Sequence, residues 1–370
     1  MILWHCSKIA FFILIISIIL TNPARATEYR AIDLTPNGFT GATVNGAGGG
    51  RQVGYINTVN GNHAVIWNGS ANGYTDLNPA GYNVKSEAYG ISGKQQVGVA
   101  WGTTASQYAH AFLWNGSASG GIDLNPSSGY YSSLAYGTNG TQQVGIASSS
   151  TSYQPHAMLW SGTAASSVDL NPSGFTYSYG YSIGGTQQAG YGVKDGSFYA
   201  LLWNGSSDSY TTLNPDGFDF AIAYGTNGTQ QVGYGGGMIP TDDEAHALLW
   251  NGSADNYIDL NPSSYLRTWA YANNATQQVG VGRPITSNLD EHAIVWSGTA
   301  DSYVDLHNFL PSEFLNSYAC GIDEYGNIVG YAFDDTDGNR HAILWQPIPE
   351  PASIFLVGLG ALAIRKKLKH

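Results

Sequence analysis

Three short landmarks recur seven times each, in fixed order, along 370 residues, so any fold for this chain must be assembled from seven like units. The first is a His-Ala-Leu-Leu-Trp type run, whose tryptophans are Trp67, Trp114, Trp160, Trp203, Trp250, Trp296 and Trp345. Their spacings are 47, 46, 43, 47, 46 and 49 residues. The second, Gln-Gln-Val-Gly or a relative, ends at Gly54, Gly98, Gly145, Gly190, Gly233, Gly280 and Gly330. The third, Asp-Leu-Asn-Pro or a relative, starts at Asp33, Asp76, Asp123, Asp169, Thr212, Asp259 and Asp305.

Within a unit the pattern is one of short strands. In the fifth, Ala221–Thr226 is followed by Asn227-Gly228, a pair favoured in type I′ hairpins. Gln230–Tyr234, a variable loop, His246–Trp250, the reversal Asn251-Gly252 and Tyr257–Leu260 complete it. Four strands of four to six residues, here called A to D, fill about 45 residues, and no segment is long enough for a helix. With 48 Gly, 25 Tyr and 10 Trp, tight turns and large buried rings are both available. The expected fold is therefore all-β, a seven-bladed β-propeller of four-stranded blades. The register of the ends supports closure. The chain opens on a D strand, Tyr29–Leu34, and its last repeat stops after a C strand, His341–Trp345. Pairing the two would complete the last blade and leave no open edge. A β-solenoid, the rival architecture, has no use for that offset.

Both termini read as addresses. Residues 1–26 have a secretory leader's layout: Lys8, an apolar run Ile9–Leu20 and an Ala24-Arg-Ala26 cleavage site. The apolar run is too short for a membrane anchor. Residues 27–348 hold the repeats. Residues 349–370 comprise Pro349-Glu350-Pro351, an apolar run Ala352–Ile364 and a basic tail, Arg365–Lys369. This tripartite ending closely resembles the PEP-CTERM sorting signal of Gram-negative bacteria. The resemblance implies processing by an exosortase-type enzyme, transient membrane association through the apolar run, and export to the outer surface or matrix. An ordinary tail anchor is the alternative. The repeats themselves resemble the HAF family of bacterial extracellular repeats, through His110-Ala111-Phe112 and its variants, with Tyr199 replacing the histidine in the fourth unit. That resemblance implies a location rather than a reaction.

Charge narrows the partners. Between residues 27 and 348 there are 8 Lys+Arg and 25 Asp+Glu, a balance of 8 − 25 = −17. Such a surface repels nucleic acid. Of the two cysteines, Cys6 lies in the leader, leaving Cys320 without a disulfide partner.

The candidate chemistry is repetitive. His63, His110, His156, His246, His292 and His341 occupy one position in six units. A shared metal would require neighbouring blades to converge, so these rings are expected to be structural, bonding the adjacent loop backbone. The Asp of Asp-Leu-Asn-Pro is expected to make side-chain turns. Variation collects in the B–C loops, where acidic runs stand at 241–244, 288–291 and 334–339. Of these, Asp335, Asp337 and Asn339 make a candidate Ca²⁺ site, since two carboxylates, an amide and a glycine lie within five residues. No other cofactor is expected. The D–A loops add Phe39, Tyr82, Tyr130, Phe175, Phe218 and Tyr265, packing residues that could also stack on sugars.

Catalysis needs unlike groups converging, whereas this chain repeats like ones. The expectation is a monomeric, non-catalytic structural or adhesive protein of the biofilm matrix, with exopolysaccharide as candidate ligand. The alternative is a polysaccharide lyase or hydrolase, which would need a cluster of unlike polar groups breaking the seven-fold pattern.

Overall fold

The computed structural model describes residues 28–82, 84–102, 108–237, 245–287 and 290–349. The leader (1–26), Glu350, Pro351, the apolar run, the basic tail and the acidic run 241–244 lie outside the described residues. By contacts the chain parts into two units. In the one made of Met1–Arg30 with Pro347–His370, the described backbone of Ile348 donates to Glu28 O at 2.9 Å. The other, Ala31–Gln346, carries the repeats.

Seven four-stranded antiparallel sheets follow one another as blades. Blade 5 is typical: A is Phe220–Thr226, B Gln231–Gly236, C His246–Trp250 and D Tyr257–Asp259, each bonded to the next. In blade 7, A is Phe314–Ile322, B Ile328–Asp334 and C Arg340–Pro347, and the fourth strand is Tyr29–Asp33 from the chain's beginning. The propeller is closed as the register of the ends predicted. The Leu34 N–H donates to Ala342 O at 2.7 Å, and the Thr35 hydroxyl accepts from the Ala342 N–H at 3.0 Å.

The landmarks have distinct structural jobs. Each tryptophan is no more than 1% exposed and packs between adjacent blades. Trp67, for example, meets Val44 and Ile56 of blade 1 together with Val329 and Leu344 of blade 7. Burying about 200 Å² of ring contributes up to about 5 kcal/mol each. The second Gln of Gln-Gln-Val-Gly is buried and ties B to the C–D turn. Gln231 Oε1 accepts the Gly252 N–H at 2.9 Å, and five other blades repeat the bond. In blade 7, where Ile328 stands in for that Gln, the chain makes no such turn after Trp345.

The A–B turn departs from the type I′ expectation. Only Gly228, at φ +94°, is left-handed there, and Asn227 is not. The Asn227 side chain explains the difference: Oδ1 accepts the N–H groups of Thr229 and Gln230 (2.9 and 2.8 Å), closing a side-chain turn. Its Nδ2 donates to Asn274 O of the next blade at 2.8 Å.

Candidate functional site

Every A strand carries an extra residue against its B strand at one shared place in the repeat, and those of blades 3, 6 and 7 shift a second time near their start. The register slips between Val44/Gly46, Ala88/Gly90, Ala135/Gly137, Gly180/Ser182, Ala223/Gly225, Ala270/Ala272 and Ala319/Gly321. A β-bulge re-aims the residue it leaves unpaired, and here that residue lines the central channel. In five blades it is a tyrosine: Tyr89, Tyr136, Tyr181, Tyr224 and Tyr271. Consecutive rings lie 4.9–5.5 Å apart, making a continuous arc. In blades 1 and 7 the residue is Asn45 or Cys320 instead. The arc is therefore open on one side, within a cavity of about 670 Å³. Burial pushes all five phenols up, and for Tyr89 the charge of Glu87 adds to the effect. Enclosure also pushes the Cys320 thiol up to about 12, which keeps it unreactive near neutrality.

Charges that break the repeat collect at the end of the channel where A strands begin and B strands end. Five of the eight cations between residues 27 and 348 stand at this end: Lys85, Lys194, Arg267, Arg283 and Arg340. Lys85 Nζ sits 4.1 Å from the Trp101 ring centre and 3.4 Å from Glu87, which also accepts from Asn62 Nδ2 and the Tyr89 hydroxyl, each at 2.7 Å. Arg267 lies over Trp269 at 5.0 Å and pairs with Glu291 at 3.1 Å, and Glu291 also accepts the Tyr318 hydroxyl. The Arg340 guanidinium rests on two rings, Tyr331 (4.9 Å) and Phe333 (5.0 Å). Near blade 3 the same face exposes Tyr108 (56%) and Tyr153 (72%), both in contact with Tyr131. Tyr153 holds φ +60°, a backbone state that costs a non-glycine residue on the order of 1 kcal/mol and is often kept where a side chain must be presented.

Sequence reasoning missed this site. The signal was available in the recurring Ala-Tyr-Gly, in its two departures at Asn45 and Cys320, and in the scarcity of cations.

The six repeated histidines do not gather, and they do not bond the loop backbone as expected. Five of them present Nδ1 to the Asp thirteen residues on, the Asp of Asp-Leu-Asn-Pro. The distances are 2.9 Å for His63–Asp76, 2.7 Å for His110–Asp123, His156–Asp169 and His292–Asp305, and 2.6 Å for His246–Asp259. A carboxylate only accepts, so Nδ1 carries the hydrogen. The other carboxylate oxygen caps the N–H two residues on, as at Asp76 to Asn78 (2.7 Å). In blade 4, Tyr199 and Thr212 replace both partners together. The D–A aromatics serve these pairs rather than an open platform: the hydroxyls of Tyr82 and Tyr130 donate to Asp123 and Asp169 at 2.7 and 2.8 Å.

Closure uses the same device across the chain's length, since His341 Nδ1 meets Asp33 Oδ2 at 2.7 Å. Burial alone would lower the His341 pKa, but bonding to Asp33 and the approach of Asp337 outweigh it and raise it above 6.5. A raised folded-state pKa contributes stability that is fully present below the unfolded value of 6.5 and is lost as pH rises through the folded value. Melting temperature is therefore expected to fall from pH 6 to 8 by more in the native chain than in Asp33→Asn, measured by thermal scans of both. Equal slopes would remove the pair from the pH response.

Around the calcium candidate Asp335, Asp337 and Asn339, Asp337 lies with Asp334 and His341, their ligand atoms within 4.8 Å of one another. Asp337 Oδ1 accepts the Asn339 N–H at 2.8 Å and its Oδ2 lies 3.3 Å from His341 Nε2. Asp334 Oδ1 caps Thr336. Ca²⁺ takes six to eight oxygens, so a calcium site here would draw its remaining ligands from backbone or water.

Fold and ends together define a closed seven-bladed propeller carrying a sorting signal. Residues 347–367 match the model of the PEP-CTERM protein-sorting motif. That motif implies exosortase processing and cell-surface sorting in a Gram-negative bacterium. No curated protein matches the chain. Among solved structures the chain is similar to the β-propeller domain of the Trilobed protease from Pyrococcus furiosus. Identity is 10%, 84% of this chain and 95% of that one are covered, and the TM-score is 0.56. It is also similar to the acylaminoacyl peptidase of Pyrococcus horikoshii, at 9% identity and TM-score 0.51. That match covers 82% of this chain but about half (51%) of the peptidase. At such identities the likeness is one of fold. The Pyrococcus furiosus domain is described as having an open velcro topology, whereas here the first strand completes the last blade's sheet.

Proposed function

We propose that the protein is an exported, non-catalytic component of the cell surface or biofilm matrix that binds exopolysaccharide at the A-strand end of its channel. The observation that carries this reading is the aromatic face itself. Tyr108 and Tyr153 stand exposed beside Tyr131, next to a channel mouth lined with phenol hydroxyls. Flat rings against sugar faces, with hydroxyls at their edges, are what a saccharide site requires. The raised tyrosines support binding over proton abstraction, because none is poised near neutral pH. Affinity electrophoresis through gels holding the organism's own exopolysaccharide tests the reading. Retardation is expected, weakened about threefold to tenfold by Tyr153→Ala and by Tyr108→Ala. Free migration of the unaltered protein would refute it.

One observation favours the second reading, a polysaccharide-acting enzyme. Glu87, Glu291 and Arg340 are unlike groups that break the seven-fold pattern at one end of the channel. Release of shortened or unsaturated oligosaccharides from the same polymer, abolished by Glu87→Gln or Glu291→Gln, would establish that reading instead.

A further inference from the structure

We infer that the saccharide held at this mouth is acidic and that Arg340 receives its carboxylate. The inference rests on the polysaccharide-binding reading and adds the chemical class of the polymer. It starts from an imbalance. The two carboxylates of the mouth are each matched, Glu87 by Lys85 and Glu291 by Arg267. Arg340 is not matched. Its guanidinium lies over Tyr331 and Phe333, and among the described residues no carboxylate pairs with it. Two aspartates of its own hairpin are engaged elsewhere, Asp334 capping Thr336 and Asp337 facing Asn339 and His341. In a domain with 8 cations against 25 carboxylates, an arginine left without one at a cavity wall stands out.

Its setting suits a uronate. Two rings, set at 85° to each other, flank the guanidinium, and its paired N–H groups can make two parallel bonds to one carboxylate. Arg340 lines the same cavity as Asn45 and Cys320, the two residues that interrupt the tyrosine arc. Tyr318, stacked on Tyr331 at 4.8 Å, extends the platform for the sugar ring beneath that carboxylate. Glu87 and Glu291, already neutralised, remain acceptors for sugar hydroxyls rather than sources of repulsion. A neutral glycan would offer Arg340 hydroxyl and ring oxygens but no opposite charge.

Calorimetry on the exported protein decides it, with uronic-acid hexamers, glucose hexamers and a hexaglutamate peptide as probes. The uronate hexamer is expected to bind at least tenfold tighter than the glucose hexamer. Arg340→Gln should abolish that preference, Arg340→Lys should retain only part of it because a point charge cannot bond bidentately, and Lys194→Gln, on the same face, should leave it unchanged. Unaltered melting curves confirm that the variants fold. Equal affinity for the two hexamers, or an uronate preference that survives Arg340→Gln, would overturn the acidic assignment while leaving exopolysaccharide binding intact. Hexaglutamate binding as tight as the uronate would overturn the saccharide as the carboxylate's source. Silence toward both hexamers, together with free migration through exopolysaccharide gels, would overturn the inference and the reading beneath it.

Discussion

Deleting residues 29–34 is expected to lower the melting temperature by about 10 °C or more and to make the protein aggregate. Among the described residues, the strand Tyr29–Asp33 is what pairs with the outer edge of the C strand of blade 7. Leu34, fully buried, packs with Val44, Trp67 and Leu344, so the deletion also opens a core joining blades 1 and 7. Losing a buried leucine costs about 2–5 kcal/mol, and each backbone group orphaned on the C strand adds about 1 kcal/mol. The deletion also removes Asp33, leaving His341 without its closing partner. A synthetic peptide of residues 28–36 should restore much of the lost stability, because it can re-pair the same edge. An unchanged melting curve for the deletion would show that the ring does not depend on this closure.

Closure matters to the candidate site as well as to stability. Arg340 begins the C strand that the first strand of the chain completes, so the cation proposed to read the polymer is carried at the seam of the ring. Blades 1 and 7 flank that seam, and they are the two that lack a channel tyrosine. The break in chemical symmetry and the break in chain continuity coincide, which places the mouth's least repetitive chemistry where neighbouring repeats constrain it least.

How far the sequence foretold this depends on which interaction is asked about. Strand order, blade number and closure were legible because they follow from repeat spacing and the offset of the ends. The His–Asp pairs were legible in principle: their separation is thirteen residues in all five pairs within a repeat, and blade 4 loses both partners together at Tyr199 and Thr212. Reading them as backbone contacts overlooked that co-variation. The bulges could not be read, since an extra residue carried at the same place by every repeat sets no repeat apart from the others. Without them Tyr136 and its equivalents look like ordinary sheet residues, and the channel stays hidden. Arg340 was hidden for another reason. Its significance lies in the carboxylates it does not meet, and only three-dimensional structure reveals that.

The glycine of Gln-Gln-Val-Gly shows how the bulge reaches back into the repeat, and it supports the last prediction. A Cβ built on Gly233 would stand 1.9 Å from Ile222 O, 2.9 Å from Ala223 Cα and 2.9 Å from Ile222 C, all of them backbone atoms. No side-chain rotation relieves such a contact, so the A strand itself would have to move. Equivalent Cβ positions in the other six blades fall 1.8–2.0 Å from the corresponding carbonyl oxygens. The close approach is a feature of the bulged pairing and explains why this residue never varies among the repeats. Gly233→Ala is therefore expected to destabilise by about 3 kcal/mol or more, at the upper end of overpacking costs, and to displace Tyr224, which the same bulge aims into the channel. Chemical denaturation measures the first effect. Near-ultraviolet circular dichroism, sensitive to the Tyr181–Tyr224–Tyr271 contacts, reads the second. By contrast, Gly252→Ala meets no atom within 4 Å but must hold φ +85°. Its cost should be the smaller one of a strained turn, about 1 kcal/mol, with the aromatic signal unchanged. Equal losses in the two variants would show that the glycines are kept for turn geometry alone and that the close approach at the bulge exerts no strain of its own.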